Sequence, residues 1–195
     1  LARYPHVRSE AEILEENRLV EAAKKNPRSF GALYDRYFEA MFLYVVKRVG
    51  EQELAADITQ QLFIKAMENL KKYEFRGLPF SSWLYQMARN EVALFFRQHK
   101  QQRVISMESS QIADLMEEME ERKSDEDVQR MVKAIQLLKA EEVEFIEMKY
   151  FERLPYKQIG EIYGITENNA KVRMHRLLKK LKKLMLKDGF AEKKL

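Results

Sequence analysis

Apolar residues recur at helical spacing along most of the chain, and their pattern predicts an all-α protein. Ile13, Leu14, Leu19 and Val20 suggest a short first helix, broken at Asn26-Pro27. Ser29 can cap a second, whose wide apolar face runs through Phe30, Leu33, Tyr34, Tyr37, Phe38, Met41, Phe42, Val45 and Val46 before Gly50 closes it. A third helix, from about Glu51 to Leu70, turns Leu54, Ile58, Leu62, Phe63 and Ala66 inward and leaves Asp57, Gln60 and Gln61 on a different face. Ser81 can cap a fourth, with Trp83, Leu84, Met87, Ala88, Val92, Phe95 and Phe96 as its apolar set and Arg89, Asn90 and Arg97 as polar positions. Trp83 reads as core.

Beyond residue 128 the pattern resumes. Met131, Val132, Ile135 and Leu138 define one helix, and Val143, Phe145, Ile146 and Met148 to Phe151 define another. These lead into Leu154 to Leu186, which reads as a helix-turn-helix. Its first helix begins near Pro155 and buries Ile159, Ile162 and Tyr163. Gly160 lies inside that helix, where glycine costs about 1 kcal/mol relative to alanine, so close approach of the second helix is the expected reason for it. Gly164 supplies the left-handed turn, Ile165 plugs the core beneath it, and Thr166 can cap the next helix. Ala170, Met174, Leu177, Leu178 and Leu181 then form one apolar stripe.

Charge changes the picture once it is divided along the chain. Residues 1–103 carry 17 Lys or Arg against 13 Asp or Glu, residues 104–127 carry 2 against 9, and residues 128–195 carry 16 against 9. The acidic middle reads as a flexible linker, residues 101–127, in which Leu115, Met116 and Met119 allow a transient helical turn. The expected organisation is therefore two small helical domains, residues 1–100 and 128–187, the linker, and a polar tail over 188–195. Residues 1–10 read as a loose arm.

The basic excess of the last block lies in the second helix of the helix-turn-helix and the tail, with no acidic residue between Asn168 and Lys187. A solvated helix face normally mixes both signs; a face of one sign is a footprint for phosphates. A second positive segment, Lys71 to Phe80, interleaves Tyr73, Phe75 and Phe80 with Lys72 and Arg76. Such loops hold single-stranded nucleic acid by stacking and charge, but the same aromatics can equally cap a core, and composition leaves the two readings level.

Composition also excludes classes. With no cysteine there are no disulfides or thiolate metal sites, and His6, His99 and His175 are too scattered for a histidine metal site. No cofactor is expected. No apolar run approaches the roughly 18 residues that span a bilayer, and the N-terminus lacks the apolar stretch of a signal peptide, so no membrane insertion and a cytoplasmic address are the expectations. Glycine-rich phosphate loops and common catalytic motifs are absent from the sequence, which points to a binding protein rather than an enzyme.

Three segments together resemble the extracytoplasmic-function sigma factors, the two-domain promoter-specificity subunits of bacterial RNA polymerase. AADITQQLFIKAM (55–67) is similar to the family's helix that docks on the polymerase β′ coiled coil, and FSSWLYQMARNEVALFFR (80–97) to its helix beside the promoter −10 strand. LPYKQIGEIYGITENNAKVRMHRLLKKL (154–181) is similar to its reader of the −35 element. The resemblance implies that Asp57, Gln60 and Gln61 contact β′, with Gln61 standing where the family often has Glu. It implies that Lys72, Tyr73, Phe75, Arg76, Phe80, Arg89 and Asn90 hold the −10 strand, a base being flipped from the stack, and so tips the level readings of that loop towards function. It implies that Lys157, Asn168, Asn169, Lys171, Val172, Arg173, His175 and Arg176 face the −35 duplex, with Asn168, Asn169 and Val172 departing from the family's common residues. Asn can pair with adenine and Val can touch a thymine methyl, so an unusual −35 sequence is expected. The implied partners are core polymerase through the β′ coiled coil and β flap, promoter DNA and an anti-sigma factor. The competing class is a helix-turn-helix repressor that dimerises through its N-terminal helices and binds duplex operator without polymerase.

Overall fold

The computed structural model describes residues 9–99, 109–119 and 124–191; the arm before residue 9, residues 100–108 and 120–123 at and within the expected linker, and the last four residues of the tail lie outside them. The described residues are helical with no strand, and they divide into two units, one up to residue 99 and the other from residue 109 on.

In the first unit, α1 (Glu10–Lys25) opens on a capping box: the Ser9 backbone N–H donates to the Glu12 carboxylate at 2.7 Å and the Glu12 N–H donates to the Ser9 hydroxyl. Its inward stripe is Ile13, Glu16, Val20 and Ala23, so a glutamate sits where the spacing calls for an apolar residue. A short 3-10 turn at Pro27–Phe30 follows, capped by the Asn26 side chain; it takes in Ser29 and leads directly into the next helix, whose N-cap is Phe30 with no side-chain cap. The next helix, α2 (Gly31–Val49), ends on Gly50 in the left-handed region at φ 78°. It packs on α3 (Gln52–Asn69) and α4 (Phe80–His99) around Leu33, Tyr37, Met41, Tyr44, Val45, Leu62, Leu84 and Ala88. Arg48 is buried in this core with its guanidinium 3.4 Å from the centre of the Tyr44 ring and one N–H donated to the Tyr44 carbonyl at 2.6 Å. The cation is tolerated there because a ring face and a carbonyl replace water.

The second unit is built on α6 (Asp125–Gln136), α7 (Ala140–Tyr150), α8 (Tyr156–Tyr163) and α9 (Glu167–Ala191). Met131, Ile135, Val143, Phe145, Ile146, Ile159, Ile162, Met174 and Leu181 fill its interior. Helix α9 runs on through residues 188–191, the first part of the expected tail.

One addition to this unit departs from the expected organisation. Residues 109–118, assigned above to linker, form helix α5, which packs on α6 and α7. Ile112, Leu115, Met116 and Met119 are all buried, and Asp114 receives an ion pair from Arg153 at 2.9 Å. The spacing of those four residues is a helical stripe, and the surrounding acidic residues take the solvent side.

If α5 belongs to this unit, Leu115→Ala in the full chain should lower the stability of the second unit by about 2–3 kcal/mol. The urea midpoint followed by circular dichroism reads this, and an unchanged midpoint would mean that α5 contributes nothing.

Candidate nucleic-acid interface

The helix-turn-helix is fixed by backbone contact. A Cβ built on Gly160 would lie 2.7 Å from the carbonyl oxygen of Ile165 and 3.3 Å from the amide nitrogen of Glu167, so only glycine lets α8 meet the start of α9 this closely. The Ile165 N–H donates to the Gly160 carbonyl at 2.9 Å, Gly164 takes φ 64°, and the Thr166 hydroxyl accepts from the Asn169 N–H at 3.2 Å. Ile165 is half-buried beneath the turn.

Helix α9 then divides by side. Ala170, Met174, Leu177, Leu181 and Met185 are buried against α6, α7 and α8, with Leu178 half-buried. Asn168, Asn169, Lys171, Val172, His175 and Arg176 are exposed, as is Lys157 on α8. Asn168, Val172, His175 and Lys179 follow one another at the i, i+4, i+7, i+11 spacing of a single helix edge, opposite the buried stripe.

Arg173 does not join them. It is half-buried, donates to Glu141 of α7 at 2.8 Å and stacks 4.6 Å from the centre of the Phe145 ring and 5.2 Å from that of Tyr163. Two aromatic faces and a carboxylate engage the guanidinium, so it braces α9 against α7 and α8 while staying part-exposed. Lys180 braces in the same way, 2.6 Å from Glu142. Burial alone would raise the Glu142 carboxyl, but hydrogen bonds from Lys180 and from the Lys139 backbone outweigh it and hold the group below its ordinary value. Its contribution is therefore present at neutral pH and lost as pH falls through that lowered value.

In the first unit the loop after α3 also sorts its residues. Lys72 and Arg76 are exposed and Phe75 is half-buried, with Gly77 at φ 67° turning the tip. Tyr73 and Phe80 are buried and pack against each other and Trp83, with ring centres 5.2–5.4 Å apart. Neither offers a free face to a stacked base, so both close the base of the loop, the core-capping alternative, while Phe75 is the aromatic left near the surface. On α4, Arg89 is half-buried and Asn90 exposed.

Two residues that spacing did not single out shape this loop. The Glu16 carboxylate, 1% exposed, accepts from the Phe80 N–H at 2.7 Å and from the Tyr37 hydroxyl. It takes the N-terminal role at α4 that Ser81 was expected to fill. Lys24 donates to the Tyr73 carbonyl at 2.8 Å and lies over the Tyr73 ring. A glutamate on an apolar stripe was the available signal for the first; nothing in the local sequence marks the second.

The third patch is on α3. Asp57, Gln60 and Gln61 are exposed, and the same face continues into Ile64 and Met67, each 45% exposed. These five residues keep the i, i+3, i+4, i+7, i+10 spacing of one exposed helix face.

Family profiles match both units: Sigma-70 region 2 over residues 33–102 and Sigma-70, region 4 over residues 129–181. The ECF RNA polymerase sigma factor BldN of Streptomyces coelicolor is 25% identical over 174 residues, covering 88% of this chain and 66% of BldN, so the chain spans just under two thirds of that relative. RNA polymerase sigma factor YlaC of Bacillus subtilis is 27% identical, covering 87% of this chain and 99% of YlaC. The solved structure of CnrH in complex with the cytosolic domain of CnrY shares the fold, with a TM-score of 0.57 at 19% identity over 89% of this chain and 98% of that one. The chain belongs to the sigma-70 family, as an extracytoplasmic-function RNA polymerase sigma factor. Among the described residues no helix is long and apolar enough to cross a membrane, and no cluster of potential metal ligands occurs.

Gly160→Ala tests the contact that sets the helix-turn-helix. Overpacking against backbone at 2.7 Å should cost about 3 kcal/mol, more than offsetting the roughly 1 kcal/mol gained in helix propensity. Gly31→Ala, where an added methyl meets nothing within 4 Å, serves as control and should not lower the urea midpoint.

Proposed function

We propose that this chain binds core RNA polymerase, directs it to promoters carrying its own −35 and −10 elements, and helps open the duplex by holding unstacked −10 bases. The observation that carries this is the one-signed open side of α9. Its buried side is apolar and ion-paired internally, while its exposed edge from Asn168 to Lys183 carries no acidic residue, the nearest being Glu167 in the first turn, which pairs with Lys171 at 2.7 Å. On that edge Asn168, Val172 and His175 are positioned for base edges, while Lys157, Lys171 and Arg176 suit phosphates. Lys72, Phe75, Arg76, Arg89 and Asn90 hold the −10 strand, with Tyr73 and Phe80 setting the loop's shape. Asp57, Gln60 and Gln61 dock on the β′ coiled coil, Ile64 and Met67 extending that contact by a turn. The second unit meets the β flap.

In this reading the chain is not itself an enzyme; the polymerase supplies the chemistry, and the cytoplasm is where both work. CnrH was solved bound to the cytosolic domain of CnrY, and an anti-sigma factor that covers the polymerase-facing surfaces is proposed for this chain too. Nothing among the described residues favours the repressor reading. Transcription reconstituted with core polymerase, with transcript 5′ ends sequenced, tests the whole: new start sites sharing −35 and −10 elements are expected, and no added initiation at any genomic promoter would refute it.

Two substitutions test the parts. Lys171→Ala should weaken holoenzyme binding to such a promoter and reduce the slope of log K against log salt by about 0.9, the contribution of one phosphate contact; an unchanged slope argues against that contact. Asp57→Ala should weaken core-polymerase binding roughly tenfold while leaving the circular dichroism spectrum unaltered.

A further inference from the structure

We propose that α1 is a positioning element for the −10 loop, with Lys24 and Glu16 pinning its two ends. The proposal rests on the reading of residues 72–80 as the strand-holding loop. Helix α1 lies outside the residues matched by Sigma-70 region 2, which begin at 33. Yet it supplies a polar partner to the backbone at each end of that loop. Lys24 donates to the Tyr73 carbonyl at 2.8 Å, and Glu16 accepts from the Phe80 N–H at 2.7 Å.

The geometry explains why both are needed. Tyr73 and Phe80 touch through their rings, with centres 5.2 Å apart, although seven residues of extended chain could reach more than about 20 Å. With its base closed, the segment between must double back on itself, which Gly77 permits at φ 67°, and Leu78 and Pro79 return it to the interior. Phe75 and Arg76 are carried out on that excursion. Ring contact brings the ends together without fixing their rotation, whereas directed hydrogen bonds to a backbone carbonyl and a backbone N–H do fix it. Glu16 is held in turn by the Tyr37 hydroxyl, with Arg36 3.6 Å away, so the anchor at Phe80 is tied to α2 as well. Helix α1 thus sets the aim of the loop without touching the strand.

Lys24 is the informative partner, since Glu16 is buried and its removal endangers the fold. Holoenzyme made with the full chain is titrated with a short fluorescent single strand carrying the −10 sequence of a promoter mapped in the reconstituted system. Lys24→Met should bind that strand roughly tenfold more weakly, Lys24→Arg should restore most of the loss, and core-polymerase affinity and thermal midpoint should stay near those of the unaltered chain. Phe75→Ala is run beside them. If Phe75→Ala weakens strand binding and Lys24→Met does not, the positioning role is overturned and the loop reading stands. If Phe75→Ala has no effect either, the loop reading falls and the proposal with it. A loss by Lys24→Met matched by equal losses in thermal midpoint and core binding would make Lys24 merely structural and overturn the proposal.

Discussion

A carboxylate taken out of water must be given donors, and Glu16 receives them from two other helices: the Tyr37 hydroxyl of α2 and the first backbone N–H of α4. That requirement organises the first unit. The leading N–H of α4 donates to this carboxylate, so it depends on α1 being in place, and α1 depends on the carboxylate being satisfied. The loop between α3 and α4 inherits its shape from the arrangement. A buried polar group therefore specifies where a surface segment goes, which an apolar residue at the same position could not do, because dispersion has no direction.

The second unit solves a related problem with backbone proximity instead of charge. Gly160 admits the turn so closely that the α8 to α9 angle is set by van der Waals contact with main-chain atoms. Charge then acts at the sides. Arg173 and Lys180 face the acidic start of α7 and are neutralised there, while Lys171, paired with Glu167 of its own helix, lies with Arg176 and Lys179 on the open surface. Composition alone makes the helix uniformly basic. The fold separates cations tied to another helix from cations on the exposed side.

Much of this was legible in the residues. Periodicity placed the helices of both units, and Gly164, Thr166 and Gly160 carried the turn, the cap and the close approach in their side chains or lack of them. The exposure of Asp57, Gln60, Gln61, Asn168 and Arg176 followed from the faces they occupy. What escaped has physical reasons. Ile112, Leu115, Met116 and Met119 keep helical spacing, but four apolar residues in an acidic stretch look like a spacer until a partner surface exists to bury them. Tyr73 and Phe80 have the composition of a base-stacking platform, and only long-range packing turns them inward. Arg173 is indistinguishable from its basic neighbours until Phe145, Tyr163 and Glu141 arrive from other helices. Glu16 broke the apolar stripe of α1, a signal whose meaning lies in a residue 64 positions away.

The internal ion pairs of α9 have one more effect, on rotational phase. A helix gripped only by an apolar stripe can roll a little about its own axis without exposing that stripe. Arg173 and Lys180, two turns apart and both anchored to α7, act as a keel that resists the roll. Each residue of shift would swing the open edge by about 100°, so the keel, together with the backbone contact at Gly160, keeps Asn168, Val172 and His175 aimed in one direction. The side that fixes the phase shares no residue with the side that faces outward. The outward set can thus be exchanged by substitution while the aim of the helix is preserved.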